Sequence, residues 1–387
     1  MNTDKVLTYL CPTKLYMGIN AHRKLDTVLA EFGANRVFLL SDPGIASTET
    51  YSIIENALKE YQVSFDTFTE VEPDPSDTTV EKAYEHYQRG KAPVLLALGG
   101  GSTIDVAKAV AILAANGGRI HDYEGFDRFS NRPLPLIAIP TTAGTGSEVS
   151  AVASVIDTNR GLKMSIRSAA LNPAAVAILD PIVLRSLPVE VAIHAGMDAF
   201  IHALESYVSL DANPITDAGN IYAIESVAHN IRSFAADRSN LEAGLKMLCA
   251  ASFGAMGFSN TGAGNVHCMA RFIGAFFHVP HGLATAVCLP YAAEFNLMAS
   301  PEKFSRIASA MGRNIQGLSV QEAGNKAIKA MKQLCKDLRI PERLREVGVT
   351  ENKIPEMAKL AFEADYNRWN PRYTSEDDFR MLYEKAF

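Results

Sequence analysis

Short apolar runs alternate with helical stretches over roughly the first 185 residues, the β-branched or leucine-rich runs being 37–41, 63–68, 94–98, 136–139 and 175–179. Such alternation predicts a parallel sheet covered by helices. Prolines and glycines sit at the punctuation points: Pro73 and Pro75 precede a helix expected to begin near Thr78, and Pro133 and Pro135 precede a strand. Beyond Leu187-Pro188 the period changes to that of a helix, and β-rich runs nearly vanish. Helices are predicted over 189–208, 214–235, 240–258, 285–298, 301–312, 320–338 and 375–386. The expected fold is therefore α/β plus all-α. A Rossmann-like parallel-sheet domain (1–187) is followed by an all-helical domain (188–387), with the active site expected in the cleft between them.

Composition narrows the class. A chain of 387 residues is too long for one ordinary core, and 48% hydrophobic content suffices to bury two. The net charge is −6 and the Lys and Arg residues are scattered, which excludes a basic stripe for nucleic acid or an anionic membrane. Five cysteines (Cys11, Cys249, Cys268, Cys288 and Cys335), with no C-x-x-C pair, argue against a disulfide framework and against a thiolate zinc knuckle. The first residues do not read as a secretion signal, and no segment offers the ~18 apolar residues of a membrane span. The expected partner is a small molecule, and the expected compartment is the cytoplasm.

Two segments could cradle a phosphate. Residues 94–108, VLLALGGGSTIDVAK, read as a buried strand, three glycines with Ser102, and a helix starting near Thr103. Glycines admit close backbone approach, Ser102 could cap the helix, and the first-turn amides and helix dipole attract an anion. A second strand ends in PTTAGTGSEVS (140–150), where Thr141, Thr142, Thr145 and Ser147 supply hydroxyls. Either segment alone is also compatible with a plain strand-to-helix turn; two in one sheet favour a dinucleotide. Asp42 closes the strand VFLLS, where a carboxylate accepts from an adenosine ribose and repels a 2′-phosphate, or simply caps a turn.

In GMDAFIHALESY, Asp198 and His202 lie four residues apart, so on a helix both leave the same face. Further on, GNVHCMARFIGAFFHVPHGLA offers His267 on a helix and His281 in a Pro-His-Gly turn. One carboxylate and three imidazoles suit Fe(II) or Zn(II) better than magnesium or calcium, which want more oxygen. Taken singly, each histidine reads equally as a surface or satisfied core residue.

The set GGGSTIDVAK, PTTAGTGSEVS, GMDAFIHALESYVS, PHGLATAVCLP and NPRYTSEDDFRMLY, in that order and spacing, resembles the iron-containing (group III) alcohol dehydrogenase family from end to end. The resemblance implies that Asp198, His202, His267 and His281 hold one divalent metal. It implies that Asp42, Gly100, Gly101, Ser102, Asp105, Thr141, Thr142, Thr145 and Lys163 line an NAD(H) site, beside which Ser147 adds its hydroxyl. The implied reaction moves a hydride between NAD(H) and a small aldehyde or primary alcohol, with the metal polarising the substrate oxygen. A homodimer or higher homo-oligomer is implied as well.

One position departs from the family. Its members usually carry a second histidine four residues after the third ligand, and here that residue is Arg271. A guanidinium relays no proton near neutral pH; it grips anions in bidentate fashion. Arg271, with Arg368 and His278 as further substrate-binding candidates, is thus expected to meet an anionic tail such as the sulfonate of sulfoacetaldehyde, or else to pair with an acidic neighbour. Cys268 is read as helix packing, and Trp369 as either a pocket wall or domain packing. The rival readings are a neutral-substrate lactaldehyde, propanediol or butanol dehydrogenase, a glycerol dehydrogenase or dehydroquinate synthase-like lyase, and an inactive metal- or nucleotide-binding protein.

Overall fold

The computed structural model describes residues 5–387. Its chain divides into two compact units. One comprises Leu10–Pro188 with Asp237–Ser252, and the other Val189–Ala236 and Phe253–Phe387 together with residues 5–9. The expected division at 187/188 is therefore incomplete, because 237–252 clusters with the sheet rather than with the helices that flank it in sequence.

The sheet unit is built on strands β1 (Lys14–Met17), β2 (Arg36–Leu40), β3 (Ser64–Phe68), β4 (Val94–Gly99), β5 (Gly125–Phe126), β6 (Leu136–Pro140), β7 (Val152–Asp157), β8 (Leu162–Arg167) and β9 (Val176–Leu179). Six of them form one sheet in the order β1-β9-β6-β4-β2-β3, all pairs parallel. Its helices are α1 (Leu25–Glu31), α2 (Pro43–Ala46), α3 (Glu49–Glu60), α4 (Asp77–Gly90) and α5 (Gly101–Asn116). β4 is buried along its whole length, as a central parallel strand must be. Leu95 and Ala97 join α4 and α5 in one core, while Val94, Leu96 and Leu98 join α1 and α3 in another. The far side of α5 packs on a second sheet of order β5-β8-β7, and so this helix is apolar almost all round.

The helical unit contains α6 (Val189–Val208), α7 (Pro214–Ala236), the latter part of α8 (Leu241–Thr261), α9 (Asn265–Phe277), α10 (His281–Leu297), α11 (Pro301–Ala310), α12 (Val320–Asp337), α13 (Ile354–Glu363) and α14 (Glu376–Ala386). Buried α6 packs against α7 and α10, and α10 in turn against α9 and α12. Among the described residues no helix is long and apolar enough to cross a membrane.

The periodic reading located five strands of the large sheet and seven helices. It gave no bounds for β1, β5, the β7–β8 hairpin, α1, α2, α3 or α13, and it started α10 at 285 rather than at His281.

Candidate functional site

The sheet unit gathers the phosphate-cradle residues where β4 and β6 end. Gly100, not Ser102, is the N-cap of α5; it offers no side-chain cap, and the helix begins at Gly101 rather than near Thr103. The first-turn amides of a sixteen-residue helix are thus left for an anion. Ser102 Oγ instead accepts from the amide of Asp74 (3.3 Å), and Asp74, in left-handed backbone (φ 51°), pairs with Lys163 on β8 at 2.6 Å.

The segment after β6 lies directly against this helix start. A Cβ on Gly101 would come within 2.8 Å of both γ atoms of Thr145, and one on Gly100 within 3.2 Å of Thr142 Cγ2. These glycines therefore serve the fit of one loop on the other as much as access by a ligand.

The hydroxyl set divides. Thr141 and Ser147 are buried, whereas Thr142 and Thr145 are half-buried. Ser147 Oγ donates to Asp105 Oδ1, and Asp105 Oδ2 accepts from Ser154 N (2.9 Å), so Asp105 ties the second loop and β7 to α5. Behind it Lys108, 2% exposed, donates to Ser150 O (2.9 Å), Ser150 Oγ (3.1 Å) and Val152 O (2.8 Å). Burial pulls its ammonium down to about 8, against the opposing pull of Asp105 and Glu148. Asp42 caps α2, with Oδ1 accepting from Ile45 N at 2.9 Å.

The helical unit assembles the second constellation. Asp198 and His202 sit one turn apart on α6, His267 lies in the first turn of α9, and His281 is the first residue of α10, with Pro280 as its N-cap. Asp198, His267 and His281 each offer a ligand atom, all within 4.8 Å of one another. Asp198 Oδ1 lies 3.8 Å from His267 Nε2 and 3.7 Å from His281 Nε2, while its Oδ2 lies 3.8 Å from His202 Nδ1. The His202 ring stacks between Phe258 (4.5 Å) and His267 (4.7 Å). These separations are too long for hydrogen bonds and suit donors converging on a shared cation.

Two further observations fit a cation. His267 Nε2 is a buried polar atom with no hydrogen-bond partner, which is costly unless something positive meets it. Burial alone would raise the Asp198 carboxyl, yet the positive charge of His202, His281 and His267 when protonated, with a hydrogen bond from Thr285, holds it below its ordinary value, so the site keeps an ionised carboxylate. His281, with 41% of its side chain exposed against 4–8% for the other three, marks the accessible side.

Glu205, not singled out in the sequence, is 2% exposed on the same face of α6. It accepts from His267 Nδ1 (2.6 Å), Gly264 N (2.9 Å) and Val266 N (2.6 Å). Its signal was legible: seven residues after Asp198, two helical turns return to nearly the same face.

The substrate-side candidates separate. Arg271 is half-buried on α9, four residues after His267, with its guanidinium 5.9 Å from the Phe272 ring. Arg368 stacks on Trp369 at 4.0 Å, and Trp369 packs against Gly262. His278 is exposed and ends α9 in left-handed backbone (φ 53°), its amide donating to Gly274 O (2.9 Å). It is thus a helix terminator. Cys268 is fully buried, as packing requires. The remaining trio of donors, Asp77, His121 and Asp157, is closed by Arg160, whose Nε donates to Asp157 Oδ2 at 2.5 Å.

Two family profiles together cover most of the chain. Residues 12–181 match the profile described as iron-containing alcohol dehydrogenase, and 192–387 the C-terminal part of the Fe-containing alcohol dehydrogenase family. The chain is 36% identical to a 1,3-propanediol dehydrogenase of Klebsiella pneumoniae, covering 99% of both chains. It is 34% identical to a sulfoacetaldehyde reductase of Bilophila wadsworthia, covering 97% of both. The solved structure of a 1,3-propanediol oxidoreductase superposes with a TM-score of 0.96 at 36% identity, over 99% of this chain and 100% of that one.

Proposed function

The chain belongs to the iron-containing alcohol dehydrogenase family, and from that premise we propose that this NAD-dependent oxidoreductase interconverts a small aldehyde and its primary alcohol, the substrate carrying an anionic tail. The observation that carries the reading is the convergence of Asp198, His267 and His281, with His202 beside the second oxygen of Asp198, and with His267 Nε2 buried without a hydrogen-bond partner. These four would hold one divalent ion, Fe(II) or Zn(II). When bound, the ion supplies Lewis-acid polarisation of the substrate oxygen and the nicotinamide supplies or takes the hydride.

The protein's own groups do the rest. The uncapped first turn of α5 with Thr142 and Thr145 receives the pyrophosphate. Asp42 keeps one carboxylate oxygen for its helix cap and offers the other to an adenosine ribose, which favours NAD over NADP. Arg271, one turn beyond His267, holds a permanent positive charge where the family usually has a titratable histidine, and so fixes a sulfonate, phosphonate or carboxylate. A neutral diol or alcohol is the second reading, favoured by the likeness to 1,3-propanediol dehydrogenase.

Rates with sulfoacetaldehyde, phosphonoacetaldehyde and a carboxylated aldehyde, against lactaldehyde and butanal, test this in wild type and Arg271→His. One lost charge-assisted hydrogen bond is worth about 1.5–3 kcal/mol, so kcat/KM for the anionic aldehydes should fall roughly 10- to 150-fold. The neutral ones should change little. Equal losses on both classes refute the anionic tail, and activity indifferent to complete chelation of metal refutes the wider reading.

A further inference from the structure

We propose that Glu205 is the positioning residue that sets metal affinity, by fixing His267 in the tautomer whose Nε2 lone pair faces Asp198 and by supplying the second negative charge of the site. The inference rests on the metal reading above and concerns a residue that is not itself a ligand there.

The geometry is over-determined. An ionised carboxylate only accepts hydrogen bonds, and three donors converge on Glu205: Gly264 N and His267 Nδ1 on Oε2, and Val266 N on Oε1. The two backbone amides hold the carboxylate in place independently of the imidazole. With Glu205 so anchored, an imidazole whose Nδ1 is 2.6 Å away must carry its proton there. The opposite tautomer would set a lone pair against a buried anion. In the neutral, ligating imidazole the lone pair is therefore left on Nε2, the buried atom without a hydrogen-bond partner, 3.8 Å from Asp198 Oδ1.

Gly264 belongs to the same arrangement, since a Cβ there would lie 3.0 Å from Glu205 Oε1, and only glycine admits the carboxylate unshifted. Charge points the same way. Ligating imidazoles are neutral, so Asp198 and Glu205 together balance a divalent ion in a site where three of the four ligand side chains are at most 8% exposed. A partner of this kind makes a ligating imidazole more basic and pre-oriented, and its loss costs about 10- to 100-fold in metal affinity.

The test is a chelator-competition titration of Co(II) and Zn(II) into full-length apoprotein, with the Co(II) visible spectrum recorded, for wild type, Glu205→Gln and Asn370→Ala. Gln keeps the shape but replaces one acceptor oxygen with an NH2 group that can hydrogen-bond the wrong tautomer. Asn370→Ala is the control for helix-end packing: it removes the acceptor of Asn265 N (3.3 Å) at the same start of α9 without touching the imidazole. Glu205→Gln should bind both metals about 10- to 100-fold more weakly, with an altered Co(II) band. Asn370→Ala should stay within about threefold of wild type, with an unchanged band, whatever it does to the melting temperature.

A Glu205→Gln protein with wild-type affinity and spectrum overturns the inference alone, and so does an Asn370→Ala protein that loses as much affinity. Wild type that takes up no Co(II) overturns the metal reading and this inference with it. Should Glu205→Gln not fold, Glu205→Asp keeps the charge and withdraws the carboxylate from His267 Nδ1 by one methylene. Affinity and spectrum unchanged from wild type in that variant overturn the inference; an intermediate loss of affinity supports it.

Discussion

Gly101→Ala tests whether the two phosphate-cradle loops act as one fitted surface. The new methyl would sit 2.8 Å from Thr145 Oγ1 and from Thr145 Cγ2, with Thr145 Cβ at 3.1 Å. Ordinary contact is about 3.5–4.0 Å, so roughly 0.7 Å or more of overlap must be relieved. Rotation of Thr145 cannot relieve it, because two γ atoms share three staggered positions and at least one always stays on the Gly101 side. The loop must therefore move, and with it Thr145 Oγ1, which accepts from Ser147 N at 3.2 Å. Overpacking of this order costs about 1–3 kcal/mol, so the NADH dissociation constant should rise roughly 5- to 150-fold in a fluorescence titration. Metal content, set in the other unit, should not change. Thr145→Ala removes both γ atoms, and with them the hydroxyl offered to the pyrophosphate and the acceptor of Ser147 N, so it weakens NADH binding by itself; it also abolishes the overlap, so Gly101→Ala added to Thr145→Ala should cost little further affinity. Additive losses in that double-mutant cycle would refute the fitted-surface argument, as would an unchanged NADH constant in the single variant.

Lys108 should leave a pH signature. Burial lowers its folded-state value to about 8, so between about pH 8 and 10 the unfolded chain binds more protons and stability rises with pH. Lys108→Met lacks that rise, so the gap in unfolding free energy between wild type and variant should widen by about 1.4 kcal/mol per pH unit at most across that window; a constant or narrowing gap in denaturant titrations contradicts it. Gly262→Ala combines left-handed backbone (φ 73°) with a Cβ 2.2 Å from Trp369 Cδ2, and should cost upwards of about 3 kcal/mol by thermal unfolding, while NADH affinity stays at the wild-type value. A loss below about 1 kcal/mol would mean that the indole is not held where it stands.

What the sequence disclosed follows from how strongly burial constrains each segment. β4 is covered on both faces, so VLLALG is one unbroken apolar run that announces itself. β1 is an edge strand of four residues with both ends exposed, and KLYM carries no period to read. α9 was recognised only through His267, although its apolar residues are one-sided and His267 itself lies among its buried residues. The four candidate ligands were legible as a set because α6 repeats Asp198 and His202 on one face and the family spacing supplied His267 and His281. Glu205 escaped although its spacing from Asp198 sets it on the same face, because a lone glutamate on a helix ordinarily faces solvent; its contacts with Gly264, Val266 and His267 show that it does not.

The motifs, read as strings, mix two kinds of residue that respond differently to substitution. In the second phosphate segment, Thr142 and Thr145 are half-buried, while Thr141 and Ser147 are buried and Ser147 is engaged with Asp105. An outward hydroxyl is hydrated when no cofactor is bound, so its removal changes affinity and leaves stability nearly alone. An inward hydroxyl has exchanged water for a protein partner. Its removal leaves that partner unsatisfied, at about 1–3 kcal/mol, and loosens the loop that carries the outward ones. Asp105 is half-buried and bonded to Ser147 and to Ser154 on β7, so it anchors this segment from a position that the family pattern sets among the cofactor residues. The same division runs through the proposed metal site, where Asp198, His267 and His281 bring their ligand atoms together, His202 stands beside Asp198, and Glu205 bonds His267. Burial together with a complete set of hydrogen-bond partners is thus the physical criterion that separates the residues a ligand meets from those that hold them in place.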